Sequence, residues 1–160
     1  MLPAELAQYL RDHIPLSSAM GVSVLEVAED SVTLQAPLAP NISHRHTVFG
    51  GSASALAILA GWALLHVRLR SEGIANRLVI QRNVMEYEHP IPGAFTARAA
   101  LEHPDRWNQF TSMLTRKGKA RVTVLAVLEH MDQAVARFSG QFVAFGRAGP
   151  ALDDGEHRRR

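Results

Sequence analysis

The chain has 160 residues, of which 47% are apolar and 20% charged, with a formal net charge of +2. That length suffices for one domain with its own core, and the absence of any basic stripe argues against a nucleic-acid partner. There is no cysteine, so disulfides and thiolate metal sites are excluded and a cytoplasmic location is expected; the first residues also lack the basic region and apolar run of a secretory signal.

Leu2, Leu6, Leu10 and Ile14 recur every four residues, with Tyr9 alongside. Pro3 suits a first helical turn and Pro15 ends the run, so a short amphipathic N-terminal helix is predicted. Residues 22–27 are β-rich, Glu29 and Asp30 mark a turn, and Val32, Leu34 and Ala36 alternate. That pair reads as a hairpin. Pro37, Pro40 and Asn41 break it, and a polar loop over residues 41–46 follows.

The stretch from Thr47 to Leu65 carries no charge and opens on Gly50 and Gly51. It predicts a helix running to about Arg70, closed by Gly73. A helix apolar all round must be buried on nearly every side. A bilayer span of about 20 residues is the competing reading, but Gly50, Gly51, Ser52, Ser54 and Gly61 dilute the hydropathy and the segment is solitary. No membrane partner is expected.

Period-two alternation then takes over. Leu78, Ile80 and Val84 share a face in a strand ending at Tyr87, and residues 89–93 break the chain. Further strands are predicted over 95–102, from Trp107 to Arg116, over 122–130 and over 135–145, with turns at 103–106 and at Lys117-Gly118-Lys119. Strands in series joined by short turns make an antiparallel sheet. The predicted fold is α+β: a curved antiparallel sheet of five to six strands wrapped around one long central helix, plus the short N-terminal helix. The domain is placed at 1–148. Residues 149–160 read as a disordered tail; without residues 151–160 the chain keeps 14 basic and 12 acidic residues (17 − 3 and 15 − 3). One helix cannot cover such a sheet, so a homodimer or tetramer is expected.

The glycine-rich helix start leaves backbone N–H groups bare, a place for a carbonyl oxygen or an anion. Asn41 is a loop or cap residue whose amide can also orient a water or hold a substrate. Ser43 reads as a loop residue, while Thr47, Ser52 and Ser54 read as caps or small packing residues. Trp62 and Phe49 are core candidates, and Phe49 can also shape a binding tunnel. His44 and His46 stand in one loop as possible proton carriers, with no acidic residue nearby to complete a metal site. Glu86 and Glu88 flank Tyr87 at a strand end that can approach a partner's helix start, where a carboxylate can act as base.

The run Asn41-Ile42-Ser43-His44-Arg45-His46-Thr47-Val48-Phe49-Gly50-Gly51-Ser52, with Leu56-Ala57 and Ala60-Gly61-Trp62, resembles the hotdog-fold thioesterases. The nearest subgroup is the domain found at the C-terminus of some acetyltransferase-like proteins, the YiiD C-terminal type. Met20-Gly21-Val22, Ala36-Pro37-Leu38 and Tyr87-Glu88-His89-Pro90-Ile91 fit as flanks, so the likeness covers about residues 15 to 146. The resemblance implies a hotdog fold and hydrolysis of an acyl thioester, with coenzyme A or phosphopantetheine entering only as part of the substrate and with no metal. The resemblance places an Asn at position 41; Asn41, Gly50 and Gly51 are the candidate catalytic residues, and Ser43, His46, Thr47, Val48, Phe49, Ser52 and Glu86 the candidate substrate-binding residues, although His46 stands where relatives carry Gly. Two departures stand out. Phe49 replaces the His of a common His-Gly-Gly motif, and Ile58 stands where many relatives carry a helix carboxylate. No acidic residue lies between Asp30 and Glu72. A non-catalytic acyl or acyl-CoA binding module is the alternative this leaves, and a thioester dehydratase, which needs a poised His and acid, is a more distant one.

Overall fold

The computed structural model describes residues 1–146; the expected tail over 149–160 lies outside them. Its elements are α1 (Pro3–His13), α2 (Pro15–Ala19), β1 (Ser23–Val27), β2 (Val32–Ala36), α3 (Gly50–Ser71), β3 (Arg77–Tyr87), β4 (Phe95–Leu101), α4 (Trp107–Lys117), β5 (Lys119–His130) and β6 (Gln133–Phe145). Six strands form one antiparallel sheet in the order β1-β2-β4-β5-β6-β3. The sheet curls around α3, which packs against β2 through β6.

The predicted long helix and both β1–β2 and β5–β6 hairpins stand as expected. α3 is 22 residues long, and Gly73 follows it at φ +67, a conformation glycine adopts without penalty. Its apolar sides are taken up by the sheet: Leu56, Ala57, Ala60, Ala63, Leu64 and Leu65 are all fully buried. Gly61 lets the helix close on the sheet, since a Cβ there would lie 3.0 Å from the Phe142 ring.

Three expectations need correction. The segment from Trp107 to Arg116 is the helix α4, not a strand. Its buried residues, Trp107, Phe110 and Leu114, follow helical spacing, and Gly118 ends it at φ 72, donating its N–H to the Leu114 carbonyl. The Trp107 indole N–H reaches Glu72 at 2.7 Å and Arg68 lies over the ring at 4.2 Å, which ties α4 to the end of α3. Pro15 does not end the N-terminal helical region; it opens the single turn of α2. Finally, β3 does not pair with β4, its successor in sequence. The strand crosses to the far side and, among the described residues, pairs only with β6, so within them one edge of an 11-residue strand stays unpaired.

Candidate functional site

The loop before α3 is pinned by Asn41. This side chain is 2% exposed. Its Nδ2 donates to the carbonyls of Met20 at 2.9 Å and Pro37 at 2.8 Å, while the Asn41 main-chain carbonyl accepts the Phe49 N–H at 2.8 Å. The buried side-chain amide therefore joins the segment before β1 to the end of β2, and the backbone of the same residue holds the one that caps α3. Its Oδ1 is buried without a partner among the described residues. Around it the loop closes through an Ile42–Val48 bridge and the bonds of Ser43 N–H to Thr47 and His46 N–H to Ser43.

His46 sits at φ 64, a left-handed conformation that suits glycine better than histidine. His44, Arg45 and His46 are all exposed, with Ser43, Thr47 and Val48 half-buried. Among the described residues no group of three potential metal ligands is present.

At the helix start the Phe49 carbonyl accepts the N–H groups of Ser52 and Ala53, at 2.9 and 3.2 Å. The Ser52 amide is therefore occupied. The amides of Gly50 and Gly51 have no partner among the described residues. They stand at the positive end of the helix dipole, with Gly50 half-buried and Gly51 exposed. Phe49 is not a core residue. It is 60% exposed and lies along Gly51, where a Cβ would stand 2.5 Å from its ring.

The end of β3 reaches this same helix start within one chain. The Tyr87 hydroxyl donates to the Gly50 carbonyl at 3.2 Å. Glu88 is held by Arg137 at 2.8 Å. Glu86 is exposed on the neighbouring position and lines a shallow hollow with Arg137, Val84 and Leu125. The structure thus groups Asn41, Phe49, Gly50 and Gly51 closely and brings Tyr87 against them, while Glu86, the preceding residue along the strand, lines the separate hollow beside Arg137.

Sequence reasoning missed a cavity of about 290 Å³ farther along α3, bounded by α2, Ile80 and Phe142. It also missed the ring cluster beyond it. His66 stacks on Trp62 at 4.8 Å and on Tyr9 at 4.3 Å. Burial lowers the His66 pKa from 6.5, and Arg70 and His13 add to the effect. The folded state therefore binds fewer protons here than the unfolded chain does. Stability is full above pH 6.5 and declines as the pH drops from there toward the lowered folded value. Thermal melts between pH 7.5 and 5 should show this decline, and His66→Phe, which keeps the stack, should flatten it.

Residues 3–146 match the model of the "putative thioesterase (yiiD_Cterm)" family. The chain belongs to this family. Two solved structures are similar to the chain over most of their length. A protein of unknown function from Chlorobaculum tepidum is 29% identical, covers 90% of this chain and 94% of its own, and superposes with a TM-score of 0.83. A putative thioesterase from Shewanella oneidensis is 26% identical, covers 89% and 96%, and gives 0.80. A thioesterase from Haemophilus influenzae, at 14% identity, shares the fold over 99% of this chain and 96% of its own, with a TM-score of 0.76. The six-stranded sheet around a long central helix is the hotdog fold of these thioesterases.

Proposed function

We propose that this family member hydrolyses an acyl thioester of coenzyme A or of a carrier protein's phosphopantetheine. The observation that carries this reading is the pair of unbonded amides, Gly50 and Gly51, at the accessible positive end of α3. The thioester oxygen sits against those amides. Water adds to the carbonyl carbon, and the oxyanion that forms is met by donors already in place. The C–S bond then breaks, the thiolate leaves and takes up a proton, and the carboxylic acid is released. Glycine is required because the oxygen must come within hydrogen-bonding distance of the main chain. Asn41 serves this chemistry as a positioning residue through its grip on the loop and on Phe49. Ser43, His46, Thr47, Val48, Phe49, Ser52 and Glu86 surround the entrance.

The free edge of β3 suits a second copy of the chain. Val84, three residues from its end, is 51% exposed. Antiparallel self-pairing centred on Val84 sets Arg82 of each copy opposite Glu86 of the other, a favourable cross-strand charge pattern. Such pairing also covers an unpaired strand edge.

Incubating the purified protein with acyl-CoAs of several chain lengths, and following thiol release, tests the activity. Turnover of at least part of the series is expected, from a species that sediments at twice 17.6 kDa. A second reading, acyl-CoA binding without hydrolysis, is favoured by Ile58 standing where a helix carboxylate is common among relatives. It predicts thermal stabilisation by acyl-CoA with no thiol released.

A further inference from the structure

α3 carries no charge from Gly50 to Leu65, yet the sheet leaves one lane of it uncovered. Gly51, Ala55, Ile58 and Trp62 follow the i, i+4, i+7, i+11 spacing of a single helix face. Each is exposed or half-buried, while their neighbours Leu56, Ala57 and Ala60 are fully covered. From Ala55 onward this lane forms one wall of the cavity of about 290 Å³. α2 supplies another wall, and Ile80 and Phe142 close the bottom. Among the described residues Ser17 is the one hydroxyl in the lining, and it already donates to the Ile14 carbonyl at 2.7 Å. A polar ligand finds no ready partner in such a chamber, whereas a hydrocarbon chain loses its contact with water there.

Trp62 stands at the far end. Its indole lies nearly parallel to the His66 ring, at 9° and 4.8 Å, and Tyr9 stacks at 5.9 Å. The two rings hold it in place. Beyond it the surroundings change character. A second hollow is lined by His66, Arg70, Asn76 and Arg77, and the buried His66 Nε2 has no hydrogen-bond partner among the described residues. An alkyl end pushed past Trp62 meets polar groups it cannot satisfy.

We propose that Trp62 is the end-stop of an acyl-chain pocket, so that the protein selects straight chains of medium length. The proposal rests on the thioester reading above. Length and volume together bound the chain the lane takes. From Gly51 to Trp62 the lane runs eleven residues, about 16 Å at the helical rise. A methylene is close in size to a water molecule, which occupies ~30 Å³, so a chamber of about 290 Å³ holds on the order of ten carbons.

The test uses the full chain and two variants, Trp62→Ala and Ile58→Phe, in two parallel series. Free carboxylic acids of about four to sixteen carbons are titrated by calorimetry, and the matching CoA thioesters are assayed for thiol release. For the wild type, affinity should rise about fourfold per added methylene up to a break near ten to twelve carbons, then stop rising. Trp62→Ala, which opens the end wall, should move the break about three to four carbons longer. Ile58→Phe fills the lane from a half-exposed position and should move it shorter, which keeps the test decisive if the tryptophan variant does not fold. A wild-type affinity independent of chain length, or a break that stays put in the folded variants, overturns the proposal. Binding of the acids involves no chemistry. A clear break without thiol release therefore refutes hydrolysis and leaves the pocket standing, and thiol release without a break does the reverse.

Discussion

Replacing Gly50 with proline is expected to lower kcat for thioester hydrolysis by about 10²- to 10³-fold, the usual loss for one oxyanion donor, while leaving the protein folded. Gly50 is the first residue of α3, the position where proline is best tolerated in a helix. The preceding residue must be extended when proline follows, and Phe49 already is, at φ −60 and ψ 132. The Gly50 amide makes no bond within the described protein, so no internal hydrogen bond is lost. A Cβ at this position meets the Tyr87 ring at 3.6 Å, an ordinary contact. The substitution therefore deletes a single N–H from the helix start, and proline should even raise stability slightly by restricting the unfolded chain. Single-turnover rates together with a thermal melt give the result. Full activity in a correctly folded Gly50→Pro variant removes that amide from the mechanism.

The largest effect on stability is expected from Phe142→Ala. Phe142 is fully buried in β6 and rests on the helix where Gly61 admits it. Truncation leaves a cavity bounded by a rigid helix backbone on one side and a sheet on the other, neither of which can collapse far. The expected cost is roughly 3–5 kcal/mol, and in a domain of this size that lowers Tm by on the order of 10 °C. Thermal and urea denaturation should agree on the loss. A Tm change of only a degree or two would mean that the central helix shifts to fill the space, and that the Gly61–Phe142 contact is not what fixes its depth.

What could be read from sequence was whatever the chain writes locally. α3 announces itself by an uncharged apolar run from a glycine pair to Leu65, with Gly73 as its stop, and the hairpins by alternation and turn residues. α4 was misread because Trp107, Phe110 and Thr111 favour strands, and a few aromatic and β-branched residues outweighed the three-to-four spacing of Trp107, Phe110 and Leu114. The swing of β3 to the far edge has no local signature, since pairing with β6 is decided by the wrap of the whole sheet. The site divides in the same way. The glycine pair is legible because the backbone itself supplies its chemistry. The hydrogen bond of Asn41 to Met20, 21 residues away, and the chamber built from α2, α3, β3 and β6, join residues far apart in the chain and exist only after folding. Phe49 was misjudged for a related reason: aromatic character suggests burial, but the ring caps a helix start that opens outward.

The grip of Asn41 has a consequence for how this protein can change over generations. The backbone at the glycine pair is secured from the inner side of the loop, through carbonyls and one concealed amide. The side chains of His44, Arg45 and His46 look outward and hold up none of that framework. Selection can therefore exchange them, and retune what the entrance admits, without disturbing the two amides behind it. Innovation is confined to the rim, and the anchor below it stays intact.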